Sequence, residues 1–173
     1  MNHTLIACIG NIFLGDDAFG SEVARALARM DLPAQVKVVD YGIRGLDLAY
    51  ALLEPYKTVI IVDAIARGSS PGTVYLLQPA SNAGSPGTLD PHSMDPARVL
   101  ATARSLGEIP GEIYIVGCEP SDFGDELEGR MGLSDAVAAS VPEAARAVLE
   151  LIERIQQQQA SDASAIYAMH QKV

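Results

Sequence analysis

A chain of 173 residues with 49% hydrophobic and 20% charged side chains has the size and balance of one globular domain with a single core. Its 22 acidic and 12 basic side chains leave a formal net charge of −10, which repels phosphate backbones and argues against a nucleic-acid partner. The two cysteines, Cys8 and Cys118, are too far apart for a CxxC zinc site or a disulfide framework, and no apolar run approaches the ~18 residues of a membrane span.

The stretch from Met1 to Asn11 has no basic segment and only a short apolar run, so it reads as the start of a fold and not as a secretory signal. A reduced, cytoplasmic protein is the expectation. Leu5–Ile9 is the first predicted strand, ending at Gly10-Asn11, and a helix with Val23, Leu27 and Met30 on one face follows Gly20. Val36–Tyr41 is the second strand, followed by a short apolar helix from Leu46 to Leu53. Thr58–Asp63 is the third. Thr73–Leu77 is the fourth, after a Pro71-Gly72 turn. Residues from Asn82 to Asp95 are rich in Gly, Ser, Pro and Asp and read as a long surface loop.

A helix striped by Val99, Ala103 and Leu106 leads to the fifth strand, Glu112–Gly117. The last helix is expected from near Ser134 to about Gln156, with a kink or restart at Pro142, where Ser140 to Glu143 reads as a capping box. Residues 157–173 are polar with a glutamine run and read as a mobile tail, leaving 1–156 as a single domain. The strands are rich in β-branched residues without strict alternation, which suits strands covered on both faces. The predicted fold is a three-layer α/β sandwich, with a mostly parallel twisted sheet of about five strands and helices on both faces.

In such a sheet ligands bind beyond the carboxyl ends of the strands. Asp16 and Asp17 follow the first strand, Asp40 ends the second, Asp63 ends the third, and His92 lies in the long loop after the fourth. Asp16 and Asp17 precede a helix, where acidic side chains also serve as caps. Asp63 is costly to bury beside Val62 without a partner, which favours a functional role. Together one of the Asp16/Asp17 pair, Asp63 and His92 make a carboxylate/carboxylate/imidazole set suited to Ni²⁺, Zn²⁺ or Fe²⁺. No GxGxxG follows the first strand, so a dinucleotide site is disfavoured. Cys118 ends a strand and reads as an inert core thiol, with a nucleophile paired to His92 as its alternative.

The order and spacing of these segments resemble the hydrogenase maturation endopeptidases. The resemblance runs from strand-GN-x-x-L-x-D-D-x-x-G at Ile9 to Gly20 through the D-x-G-x-x-G turn at Asp40, Gly42 and Gly45. It continues with Val62-Asp63-Ala64, Pro71-Gly72-Thr73, Pro91-His92-Ser93, Val116 to Pro120, and Gly132-Leu133-Ser134, covering about residues 4–155. Two departures stand out: Asp17 replaces the more usual glutamate, one methylene longer, and Ile43 occupies the usual threonine position. The resemblance implies a nickel-dependent endopeptidase that removes the C-terminal extension of a [NiFe]-hydrogenase large-subunit precursor. It implies Asp17, Asp63 and His92 as catalytic and metal-contacting residues, with the Ni²⁺ supplied by the precursor. Asn11, Asp40, Gly42 and Gly45 are the expected substrate-binding positions. A nickel-sensing chaperone that binds the precursor without cutting it, and a hydrolase using Cys118 with His92, stay open at this stage.

Overall fold

Side-chain alternation along the central strands sorts the interior into two layers. Ile6 and Cys8 face one side with Ile60, Val62, Val116 and Cys118, whereas Leu5, Ala7 and Ile9 face the other with Val59, Ile61 and Ile115. The computed structural model describes residues 4–79, 95–124 and 129–170. The elements are β1 (Thr4–Ile9), α1 (Phe19–Leu27), β2 (Val36–Gly42), α2 (Gly45–Ala51), β3 (Thr58–Ala64), β4 (Val74–Leu77), α3 (Pro96–Leu106), β5 (Glu112–Cys118) and α4 (Asp135–His170). A 3-10 turn at Gly15–Ala18 precedes α1.

The sheet order is β2-β1-β3-β5-β4, with every pair parallel except β4 against β5. Helices α1 and α4 cover one face through Val23, Leu27, Val148 and Ile152; α2 and α3 cover the other through Leu48, Ala49, Val99 and Ala103. This is the expected three-layer α/β sandwich. All seven residues of β3 are buried, as a central strand between two helical layers requires. Each large aliphatic side chain buried there contributes about 1.5–3 kcal/mol.

Three details differ from the sequence expectations. Helix α1 ends at Leu27, so Met30 lies beyond it and is partly exposed. Pro142 sits inside a continuous α4, and Ser140 makes no capping box: its Oγ donates to the Val137 carbonyl at 2.7 Å. The boundary expected at residue 156 falls within α4, which runs on to His170, where alanines and glutamines favour continued helix. The predicted long loop, apart from Asp95, lies outside the described residues. Among the described residues no helix is long and apolar enough to cross a membrane.

This topology has one switch point. From β1 the chain moves to β2 on one side, then returns to β3 on the other, so loops after β1 and β3 diverge and leave a crevice. Gly20 lets α1 close onto that point: a Cβ there would meet Ile9 O at 2.1 Å and Val62 O at 2.6 Å. Only glycine permits so close an approach of helix and strand ends.

Candidate active site

The loop leaving β1 is shaped by Gly10 and Asn11. Gly10 has a φ of 147°, and a Cβ there would stand 1.9 Å from Asp17 O, so the chain passes against its own return. Asn11 Oδ1 accepts from Phe13 N at 3.0 Å, an Asx turn that directs the loop back. Asn11 N donates to Asp17 Oδ2 at 2.9 Å, fixing that carboxylate at the rim.

Asp63 arrives from the end of β3. Its side chain is buried and Oδ1 accepts from Ala64 N at 2.8 Å. Burial first, and then the nearby charge of Asp17, push its pKa well above the ordinary carboxylate range; the Ala64 bond opposes this, and Asp95 adds to it. Asp17 is also raised by burial, partly offset by the Asn11 N–H. The turn after β1 and the end of β3 thus bring two carboxylates to the switch point, where the charge of Asp17 disfavours that of Asp63. Such a pair is relieved by a proton or by a cation.

Beside them, a cleft of about 340 Å³ is lined by Asn11, Ile12, Phe13, Asp40, Ile43 and Arg44 among others. Asn11, Asp40 and Gly42, three of the expected substrate-binding residues, line this cleft, whereas Gly45 opens α2 just past it. Phe13 and Ile43 are largely exposed, giving the cleft an apolar lip.

Asp16 is not a helix cap, since neither the 3-10 turn nor α1 has a side-chain cap bond. It is fully buried and accepts from Ser134 N at 2.6 Å, Ser134 Oγ at 2.9 Å, Ser121 N at 2.8 Å and Asp122 N at 3.2 Å. Burial raises its pKa, but these bonds outweigh that and hold it below the usual value. His92 lies outside the described residues. Among the described residues no group of three or more His, Cys, Asp or Glu side chains is disposed to hold a metal ion.

Sequence reasoning missed two acidic residues. Asp95 caps α3 by accepting from Ala97 N at 2.8 Å, and its charge acts on Asp63. The Asp-Pro pair opening a helical stretch was the available signal. Glu119 is buried after β5 and accepts from Tyr75 OH, Arg67 N at 2.8 Å and Gly68 N at 3.0 Å, pinning the loop after β3. Its signal was that of Asp63: an acid ending a buried strand.

The family model for hydrogenase maturation proteases (HycI) matches residues 21–151. The chain belongs to that family. The protease is 32% identical over 152 residues to a putative hydrogenase maturation protease of Methanocaldococcus jannaschii, covering 87% of this chain and 96% of the relative. It is 31% identical over 147 residues to the hydrogenase 2 maturation protease of Escherichia coli, covering 84% and 87% respectively. The solved structure of the hydrogenase maturating endopeptidase HybD from E. coli superimposes with a TM-score of 0.71 at 30% identity, covering 88% of this chain and 93% of that one. The protease carries its acidic pair where its own topology opens, whereas the Cys118 side chain, on the strand beside β3, packs into the core layer under α1 and α4. The Cys118 thiol is buried at 3.2 Å from Ser140 Oγ, and burial raises its pKa, which disfavours a thiolate nucleophile.

Proposed function

We propose that this protease removes the C-terminal extension of a [NiFe]-hydrogenase large-subunit precursor in the cytoplasm, and acts on precursor that already carries its nickel. The observation that carries this reading is Asp63: a buried carboxylate, raised in pKa, beside a second carboxylate at the switch point. Its charged form is unfavourable in the free protein and becomes favourable when a cation is brought to it. The nickel of the precursor supplies that cation.

In this reading Asp17, Asp63 and His92 contact the precursor's nickel, which takes imidazole and carboxylate ligands. Asp95, three residues after His92 in the chain, supports the placement through its charge on Asp63. The metal polarises the scissile carbonyl or activates a water, and one of the carboxylates accepts a proton. Asn11, Asp40, Gly42 and Gly45 hold the extension along the cleft and its edge, where the apolar lip of Phe13 and Ile43 takes its side chains.

The test is intact-mass measurement of a nickel-loaded large-subunit precursor incubated with the protease, beside a nickel-free control. Loss of one discrete C-terminal peptide from the loaded sample alone is expected, and Asp63→Ala and His92→Ala variants that fold normally should leave it uncut. Equal cleavage of both samples would refute nickel gating. Stable binding without any cut would replace the reading with a chaperone.

A further inference from the structure

We infer that Ser21 is a positioning residue for the substrate cleft: its buried hydroxyl anchors Asp40, and through Asp40 the turn that forms one cleft wall. This rests on the reading of the cleft as the precursor-binding surface.

Ser21 lies in α1, whose other inward side chains include Phe19, Val23, Ala24 and Leu27. It is only 1% exposed. A hydroxyl buried in that company is costly unless hydrogen-bonded. Within a helix the near partner is the carbonyl one turn back. Ser21 Oγ instead donates out of the helix, to Asp40 Oδ1 at 3.0 Å.

That oxygen is shared. Asp40 Oδ1 also accepts from Gly42 N at 2.9 Å, so one carboxylate oxygen ties α1 to the turn after β2. Gly42 O accepts from Gly10 N at 3.1 Å, and the next residue, Asn11, holds Asp17 through its N–H. On the solvent side Arg44 grips the same turn, its Nη2 donating to Asp40 O at 2.6 Å and its Nε to Tyr41 O at 3.1 Å. The turn is therefore held from outside by an exposed guanidinium and from inside by one buried hydroxyl. Ser21, Asp40, Gly42 and Gly10 all line the same cleft.

Ser21→Ala removes the inner anchor and leaves every other bond of the turn. We expect about a three- to tenfold rise in KM for nickel-loaded precursor, the worth of one hydrogen bond, with kcat kept within twofold. In an Asp40→Ala background the same change should add nothing, because its acceptor is gone. In the free protein, amide exchange at Gly42 and Gly10 should quicken in Ser21→Ala. Unchanged KM, or a fall in kcat alone, overturns the assignment, even if exchange quickens. If the wild-type protein cuts no precursor, exchange still decides: quickening keeps the anchor while the cleavage reading fails, and wild-type exchange rates reject the anchor itself.

Discussion

Asp16 and Asp63 are both buried aspartates at the carboxyl end of the sheet, and their ionisation is driven in opposite directions. Asp16 receives four hydrogen bonds from three residues in two segments, and its charged form is held below the ordinary pKa. Among the described residues Asp63 shows one bond, from its own following N–H, and has acidic neighbours in Asp17 and Asp95. Burial acts on both; the hydrogen-bond donors decide. A saturated carboxylate is a structural rivet that joins the β1 loop, the loop after β5 and the start of α4. An undersupplied one is a site waiting for a cation or a proton.

The largest effect should come from Asp63→Asn. The amide keeps a carbonyl for Ala64 N but removes the charge, so precursor cleavage should fall roughly 10²–10⁴-fold. Stability should not suffer. With a raised folded pKa, the native state holds the proton longer than the unfolded chain, so wild-type stability falls as pH rises above the ordinary value of 3.8 toward the raised one. The variant has no such slope, and its melting temperature at pH 7 should equal or exceed that of wild type. A marked loss of melting temperature would contradict the contrast with Asp16.

Asp16→Ala should do the reverse, costing about 2–4 kcal/mol of stability by leaving several buried donors unpaired. The lowered folded pKa makes the unfolded chain take up the proton first. This stabilisation is therefore complete well above 3.8 and is lost as pH falls through the lower folded value. Urea titrations of wild type and variant should converge in that acid window; a constant gap down to low pH would mean the carboxylate charge is irrelevant.

Cys118→Ala sharpens the comparison by testing a buried thiol that packs into the core layer under α1 and α4. It should cost about 1 kcal/mol of packing and leave processing intact. Abolished cleavage in a folded variant would revive the thiol mechanism. The smallest effect belongs to Ile43→Thr on the exposed lip, where stability should stay within about 0.5 kcal/mol. A larger loss would show that Ile43 packs against more than the cleft.

The five strands were legible because buried β-branched runs bounded by glycine and proline have few other readings. The acids Asp17, Asp40 and Asp63 were legible as rim residues because each ends a strand or opens the loop after one. Asp16 and Asp17 could not be told apart, since adjacent residues share every local signal; the partner residues of Asp16, Ser121, Asp122 and Ser134, lie more than a hundred residues away in the chain. The end of α4 was misjudged because a polar composition looks the same on an exposed helix and on a tail. Pro142 was read as a break on local grounds, yet the continuous helix packs on the sheet through Val137, Ala145 and Val148 on either side of it.

By itself the sequence determined the α/β class, the residues available at the sheet's carboxyl rim, and the family resemblance, since these depend on composition, period and order along the chain. Only the tertiary structure decided which strands lie side by side, and so which acids meet. It also decided which buried carboxylate is satisfied and which is left undersupplied. Hydrogen-bond partners and electrostatic neighbours are long-range properties, and no local pattern of residues encodes them.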